Sequence, residues 1–186
     1  EYVEIGFFKG NPVSLNGKNI PGDMIIKKLN EIAGSYGIGR IDMVENRLVG
    51  IKSREIYESP AAEILIEAHR QLESLILDRE LIHYKYILEE KLAELVYYGL
   101  WFTPLRNCLC SFMDQSQTFV TGTVKIKLEY KDFKVVGRKS NYSLYDINLA
   151  TYDKEDKFNH KHSESFIKLW GYPYELLGKK GRIDEK

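Results

Sequence analysis

The hydrophobic residues of this chain change their spacing near residue 120, and that change constrains the fold more than any other feature. Between residues 60 and 119 they recur every three or four positions, which is typical of helices that bury one face. From Val120 they recur at every second position, which is typical of strands with one buried face. Successive helices without alternating strands argue against a parallel, doubly wound sheet. We therefore predict an α+β fold, with an antiparallel sheet of about five strands covered by several helices and with a C-terminal helical extension.

Capping signals mark the starts of three successive helices. Ser59 is a suitable N-cap and Pro60 suits the first helical position, and Thr103 and Pro104 repeat this pair. Asp78 is a candidate cap for the helix between them. The predicted helices are Pro60–Leu77, Arg79–Tyr98 and Pro104–Phe119.

Strand pairs flank this helical region. Tyr2–Phe8 alternates and is predicted to pair with Val13–Leu15, while a second hairpin turns at Lys131–Asp132. Between them, a helix capped by Asp23 is expected to end at Gly37. Its predicted buried stripe is Ile25, Ile26, Leu29, Ile32 and Ala33. A short helix is also expected within residues 144–150.

Residues 40–59 combine balanced charges with frequent β-branched residues. They are predicted to form two short strands that meet near Asn46 and Arg47, because turn-forming residues interrupt the run there. Such a small sheet can hold a zwitterion, since each charge of the ligand finds an opposite side chain. The alternative is a solvated hairpin whose charges pair with each other, and the residues alone favour that alternative.

Composition and motifs exclude several function classes. The 27 basic and 27 acidic residues cancel, so no net field attracts nucleic acid or an anionic membrane. No signal peptide or membrane-spanning run is visible, so a cytoplasmic protein with reduced Cys108 and Cys110 is expected. Phosphate-loop, dinucleotide, zinc-peptidase and nucleophile-elbow motifs do not occur. We predict no catalytic, cofactor-binding or metal-binding residue in this chain.

Six segments, in the same order, resemble the argininosuccinate synthase family. They are GIGRIDMVENRLVGIKSREIYESPAAEIL at 37–65, FVTGTV at 119–124, VGRKS at 136–140, SLYD at 143–146, ATYDKED at 150–156 and FIKLWG at 166–171. Most members of that family have Gly where Glu55 stands and Thr where Ser59 stands. The resemblance covers nearly the whole chain.

The resemblance implies a ligase that joins citrulline and aspartate with ATP, through a citrullyl-adenylate, releasing pyrophosphate and AMP. In that family ATP, with Mg²⁺, binds an N-terminal domain with an SGGLDTS-type loop, which this sequence lacks. Residues 1–160 then correspond to part of the synthetase domain, and residues 161–186 to a helical oligomerisation segment and tail of a homotetramer. The chain alone is expected to be inactive. The alternative is a non-catalytic oligomerisation or binding module that has lost its nucleotide-binding domain.

Two citrulline contacts of the family fall on this chain, twelve residues apart. They correspond to Glu45 and Tyr57. A carboxylate pairs with an ammonium group, and a phenol both donates and accepts a hydrogen bond. Without the resemblance, Glu45 is expected to be a surface residue and Tyr57 a packing residue.

The last apolar cluster lies near the C-terminus and needs a surface to cover it. It consists of Phe166, Ile167, Leu169 and Trp170. The covering surface is either a neighbouring subunit or the chain's own domain. Gly171 and Pro173 are expected to interrupt this helical segment.

Overall fold

The main sheet is antiparallel throughout and joins strands that are distant in sequence. The computed structural model describes residues 1–147, 159 and 161–182. Its elements are β1 (Tyr2–Phe8), β2 (Asn11–Leu15), β3 (Lys18–Asn19), α1 (Gly22–Ser35), β4 (Arg40–Asn46), β5 (Lys52–Glu58), α2 (Pro60–Ile76), α3 (Arg79–Tyr97), α4 (Pro104–Ser116), β6 (Gly122–Glu129), β7 (Asp132–Lys139) and α5 (Lys161–Lys179). The sheet order is β3-β2-β1-β6-β7, and β4 and β5 form a separate two-stranded sheet. The predicted α+β class is confirmed.

The hydrophobic core lies between one face of the main sheet and helices α1 and α2. Val3 pairs with Ile126 and Ile5 with Val124, and all four side chains are fully buried. The helices contribute Ile25, Leu29, Ala33, Ala61, Ile64, Ala68, Leu72 and Ile76. Each fully buried aliphatic side chain stabilises the fold by about 1.5–3 kcal/mol. In α1, however, Ile26 of the predicted stripe is 47% exposed, and Asp23 lies in the first turn rather than at the cap.

Helices α3 and α4 lie outside this core, although all three predicted helices were expected to cover the sheet. They contribute no residue to the core cluster and pack against each other. In α3 only Lys85 and Leu95 are buried, and in α4 only Leu109 and Ser116. Cys108, expected to face inward, is exposed. The layer on the sheet is therefore made by α1 and α2.

Residues Tyr145–Lys186 form a second unit, whose main element is α5. The prediction that Gly171 and Pro173 interrupt this helix is wrong, because α5 is continuous from Lys161 to Lys179. Within α5 the rings of Phe166 and Trp170 stack, with centroids 5.7 Å apart. Pro173 removes one backbone donor, and the residues on both sides of it stay helical within this 19-residue element.

Some of the sequence predictions fall on residues that the structure does not describe. Residues 144–147 of the short helix expected at 144–150 are not helical, and residues 148–150 lie outside the described residues. Residues 148–158, 160 and 183–186 lie outside as well. The assignment of residues 161–186 to oligomerisation stays a prediction.

Candidate functional site

The central stretch folds as the predicted hairpin of β4 and β5. The strands pair in register from Arg40 opposite Glu58 to Asn46 opposite Lys52. At the tip, the Gly50 amide donates to the Arg47 carbonyl over 2.8 Å. Gly50 has φ +82°, a left-handed conformation that closes this turn without steric strain.

The base of the hairpin is fixed to the start of α2. The Ser59 amide donates to the Gly39 carbonyl over 2.8 Å, and Pro60 opens the helix. Gly39 has φ +84°, and a Cβ atom there would lie 2.4 Å from the Pro60 nitrogen. Only glycine permits this close approach. The direction in which the hairpin leaves the domain is therefore set at residues 39–60.

Alternation along the two strands gives the hairpin two faces with different chemistry. The Asp42 face consists of Arg40, Asp42, Val44, Asn46, Lys52, Arg54, Ile56 and Glu58. The Glu45 face consists of Ile41, Met43, Glu45, Arg47, Ile51, Ser53, Glu55 and Tyr57. Three polar residues of the Glu45 face, Glu45, Ser53 and Glu55, are the half-buried residues of the two strands. The two faces are therefore unequal surfaces for a ligand.

Charges on the Asp42 face pair with each other across the strands. Arg54 Nε donates to Asp42 Oδ1 over 2.8 Å, and Arg40 Nε donates to Glu58 Oε1 over 3.2 Å. The hydrogen bond from Arg54 holds the pKa of Asp42 below its ordinary value, and the same bond raises the pKa of Arg54. This face fits the description of a solvated hairpin with paired charges.

The Glu45 face brings together the two residues identified from the family resemblance. Tyr57 Oη donates to Glu45 Oε2 over 3.0 Å. This hydrogen bond, followed by desolvation and the charges of Glu45 and Glu55, raises the pKa of Tyr57. Among the residues that the structure describes, no cation makes an ion pair with Glu45. Glu45 thus presents a carboxylate that a phenol orients and that makes no ion pair with the described residues.

Sequence reasoning assigned no role to the groups beside this pair. Arg47 Nη2 lies 3.1 Å from Glu55 Oε1, and Arg47 Nε donates to Ser53 Oγ over 3.2 Å. The alternation of side chains along the strands could have identified them. Once the register is known, it predicts that residues 45, 47, 53, 55 and 57 share a face.

A cavity of about 480 Å³ opens beside the base of the hairpin. It is lined by Ile41, Ser59, Ala62, Glu63, Ile66, Glu67, Arg70, Asp132 and Phe133. Ile41 belongs to the Glu45 face and lies opposite Tyr57 in the ladder. The Glu45 face therefore adjoins a space large enough for a small molecule.

Two features are absent from the part of the chain that the structure describes. There, no three or more His, Cys, Asp or Glu side chains are grouped so as to hold a metal ion. Within the same residues, no helix is long and apolar enough to cross a membrane.

Comparison with known proteins identifies the family of this chain. The sequence model of the arginosuccinate synthase C-terminal domain matches residues 1–177. The chain belongs to this family. The argininosuccinate synthase of Trichodesmium erythraeum is 57% identical over 182 residues, which cover 98% of this chain and 46% of that protein. The synthases of Dictyoglomus thermophilum and Dictyoglomus turgidum are 59% and 60% identical and cover 97% and 96% of this chain.

This synthase C-terminal domain spans about half the length of the curated relatives that it matches. The aligned residues make up 45% of the Dictyoglomus thermophilum protein and 46% of the Dictyoglomus turgidum protein. Slightly more than half of each of these relatives therefore lies outside the region that matches this chain.

Proposed function

We propose that this domain supplies part of the citrulline site of an argininosuccinate synthase, with Glu45 and Tyr57 as the contacts. The reaction is the joining of citrulline and aspartate with ATP, with release of AMP and pyrophosphate. The observation that supports this proposal best is the 3.0 Å hydrogen bond between Tyr57 Oη and Glu45 Oε2. Two residues twelve positions apart, chosen by resemblance alone, meet on one face of the hairpin.

The chemistry of this pair suits an amino-acid ligand. Glu45 offers its charge to the ammonium group, and a charge-assisted hydrogen bond of this kind is stronger than a neutral one. Tyr57 holds one carboxylate oxygen of Glu45, and no described residue bonds the other oxygen, which can accept from the ligand. A phenol is protonated at neutral pH, and the raised pKa of Tyr57 extends the pH range over which it donates to Glu45. That contribution is lost only when the pH rises through the raised pKa.

We further propose that ATP, with its Mg²⁺, binds outside this chain, in the remaining part of the synthase. The sequence of this chain has no phosphate loop. Adenylylation requires ATP and citrulline to be held together, so this chain alone is expected to release no citrulline-dependent pyrophosphate. Pyrophosphate assays on the purified chain test this, and measurable turnover would place the chemistry here. Assembly into a homotetramer through residues 161–186 belongs to the same proposal.

Substitution of the two contacts, in a full-length synthase that contains this sequence, tests the site. Glu45→Gln removes the charge with little change of shape, so kcat/KM for citrulline is expected to fall about 10- to 150-fold. Tyr57→Phe removes one hydroxyl and is expected to lower it about 2- to 12-fold. The KM for ATP is expected to stay unchanged in both variants.

Matched controls separate binding from folding. Glu58→Gln changes a carboxylate on the Asp42 face, and Tyr36→Phe removes a phenol outside the hairpin. Equal losses in these controls would mean that Glu45 and Tyr57 are structural residues, and the citrulline assignment would then be wrong.

A further inference from the structure

Arg47 lies on the same face as Glu45, yet its guanidinium crosses to β5 and bonds Ser53 and Glu55 there. Residues 45 and 47 are two positions apart in an extended strand, so their Cα atoms are roughly 7 Å apart and their side chains leave the same face. A long arginine side chain spans that distance. Instead, Arg47 Nε donates to Ser53 Oγ over 3.2 Å and Arg47 Nη2 contacts Glu55 Oε1 over 3.1 Å. Glu55 and Ser53 therefore bind a guanidinium that is long enough to pair with Glu45.

Glu55 is the best sheltered of the acidic groups that pair with arginine on the hairpin. Its side chain is 33% exposed, whereas those of Asp42 and Glu58 are 50% and 69% exposed. Ion pairs gain strength as their groups leave water. The Arg47–Glu55 pair thus has the most sheltered carboxylate of the three, and it stands beside the proposed ligand contacts.

The charges of the Glu45 face add to one negative charge. Glu45 and Glu55 contribute two negative charges and Arg47 one positive charge. Because Arg47 pairs with Glu55, the remaining negative charge lies on Glu45. A ligand with one ammonium group near this face completes the balance.

We propose that Glu55 is a positioning residue of this site, which keeps Arg47 engaged so that Glu45 stays open to the ammonium group of the ligand. This inference rests on the proposed function of Glu45. Without the Glu55 carboxylate, Arg47 turns to Glu45 and competes with the ligand for it.

Steady-state kinetics of Glu55→Gln in the full-length synthase tests the inference. The competing ion pair is an exposed one, so KM for citrulline is expected to rise about 2- to 5-fold, with kcat and the KM for ATP unchanged. Glu55→Asp keeps the charge and is expected to retain most of the citrulline affinity. The matched control is Glu58→Gln, which frees Arg40 on the Asp42 face and leaves KM for citrulline unchanged.

The decisive comparison repeats Glu55→Gln in an Arg47→Gln background. This background has no arginine to release, so Glu55→Gln is expected to change KM for citrulline there by less than about 2-fold. The difference between the two backgrounds measures the coupling between residues 47 and 55. An unchanged KM in Glu55→Gln alone, or an equal rise in both backgrounds, would overturn the inference. Glu45→Gln measured in parallel keeps the two proposals apart. If it leaves KM for citrulline unchanged, the proposed function fails; if it raises KM while Glu55→Gln does not, only the role of Glu55 fails.

Discussion

Two ion pairs of this domain have opposite surroundings. Asp42 and Arg54 meet on the outer surface of the hairpin, with side chains 50% and 68% exposed. Glu73 and Lys85 meet between α2 and α3, with Lys85 Nζ 3.1 Å from Glu73 Oε1 and side chains 0% and 4% exposed. The side chains of the first pair remain in contact with solvent, whereas those of the second are almost completely buried.

The buried pair is also surrounded by partners that satisfy its remaining polar groups. Gln117 Nε2 donates to Glu73 Oε1 over 2.6 Å, and Lys85 also contacts Glu89. Gln117 Oε1 in turn lies 2.8 Å from His69 Nε2. A buried charge is tolerated only when it is paired in this way. Removing one partner is therefore expected to have little effect on stability at the hairpin and a large effect between the helices.

The largest effect is expected from Lys85→Met. It leaves the Glu73 carboxylate buried without its cation, which destabilises the fold by about 3–5 kcal/mol. The double variant Glu73→Met/Lys85→Met removes both charges and is expected to recover at least half of that loss. Urea denaturation of the chain measures both.

The matched control for this experiment is Lys91→Met on the same helix. Lys91 pairs with Glu94, and their side chains are 46% and 43% exposed. Its loss is expected to cost less than about 1 kcal/mol. A Lys85→Met variant as stable as the Lys91→Met variant would show that burial does not separate the two kinds of pair.

The smallest effect is expected at the exposed pair. Arg54→Gln is expected to leave the urea midpoint at pH 7 unchanged within error, while the pKa of Asp42 rises toward its ordinary value of 3.8. Because the folded pKa is lowered, the contribution of this pair is present above the unfolded pKa and is lost as the pH falls through the folded one. A carboxyl-carbon NMR titration of Asp42 reports the shift. An unshifted titration in the variant would contradict the assigned cause.

Secondary-structure elements were predicted correctly where a segment shows a single hydrophobic periodicity. The alternation of Val124, Ile126 and Leu128 matches their burial, and the cap at Asp78 is observed, since its side chain accepts from the Glu80 and Leu81 amides. The hairpin was also predicted, because β-branched residues flank its turn.

The errors come from tertiary contacts that periodicity does not encode. Lys85 falls in the apolar stripe of α3, four residues after Leu81 and three before Leu88, and a charge there signals a buried partner on another helix. The contact of Tyr57 with Glu45 depends on strand register, which places Ser53 rather than Tyr57 opposite Glu45. Register follows from the turn at residues 47–50, and the sequence located that turn only approximately.

Among the described strands the hairpin is a two-stranded ribbon with no third partner, and this has a consequence for its local opening. Its amides are held by a single ladder, whereas β1 is bonded on both sides, by β2 and β6. Ribbons of this kind are marginal by themselves, so their opening free energy lies well below that of the whole domain. The ribbon can therefore exchange its amide hydrogens with solvent while the five-stranded sheet remains intact. The ligand that we propose for Glu45 and Tyr57 would bridge both strands and add a second set of cross-strand bonds, so ligand occupancy and the local order of the ribbon are expected to rise together.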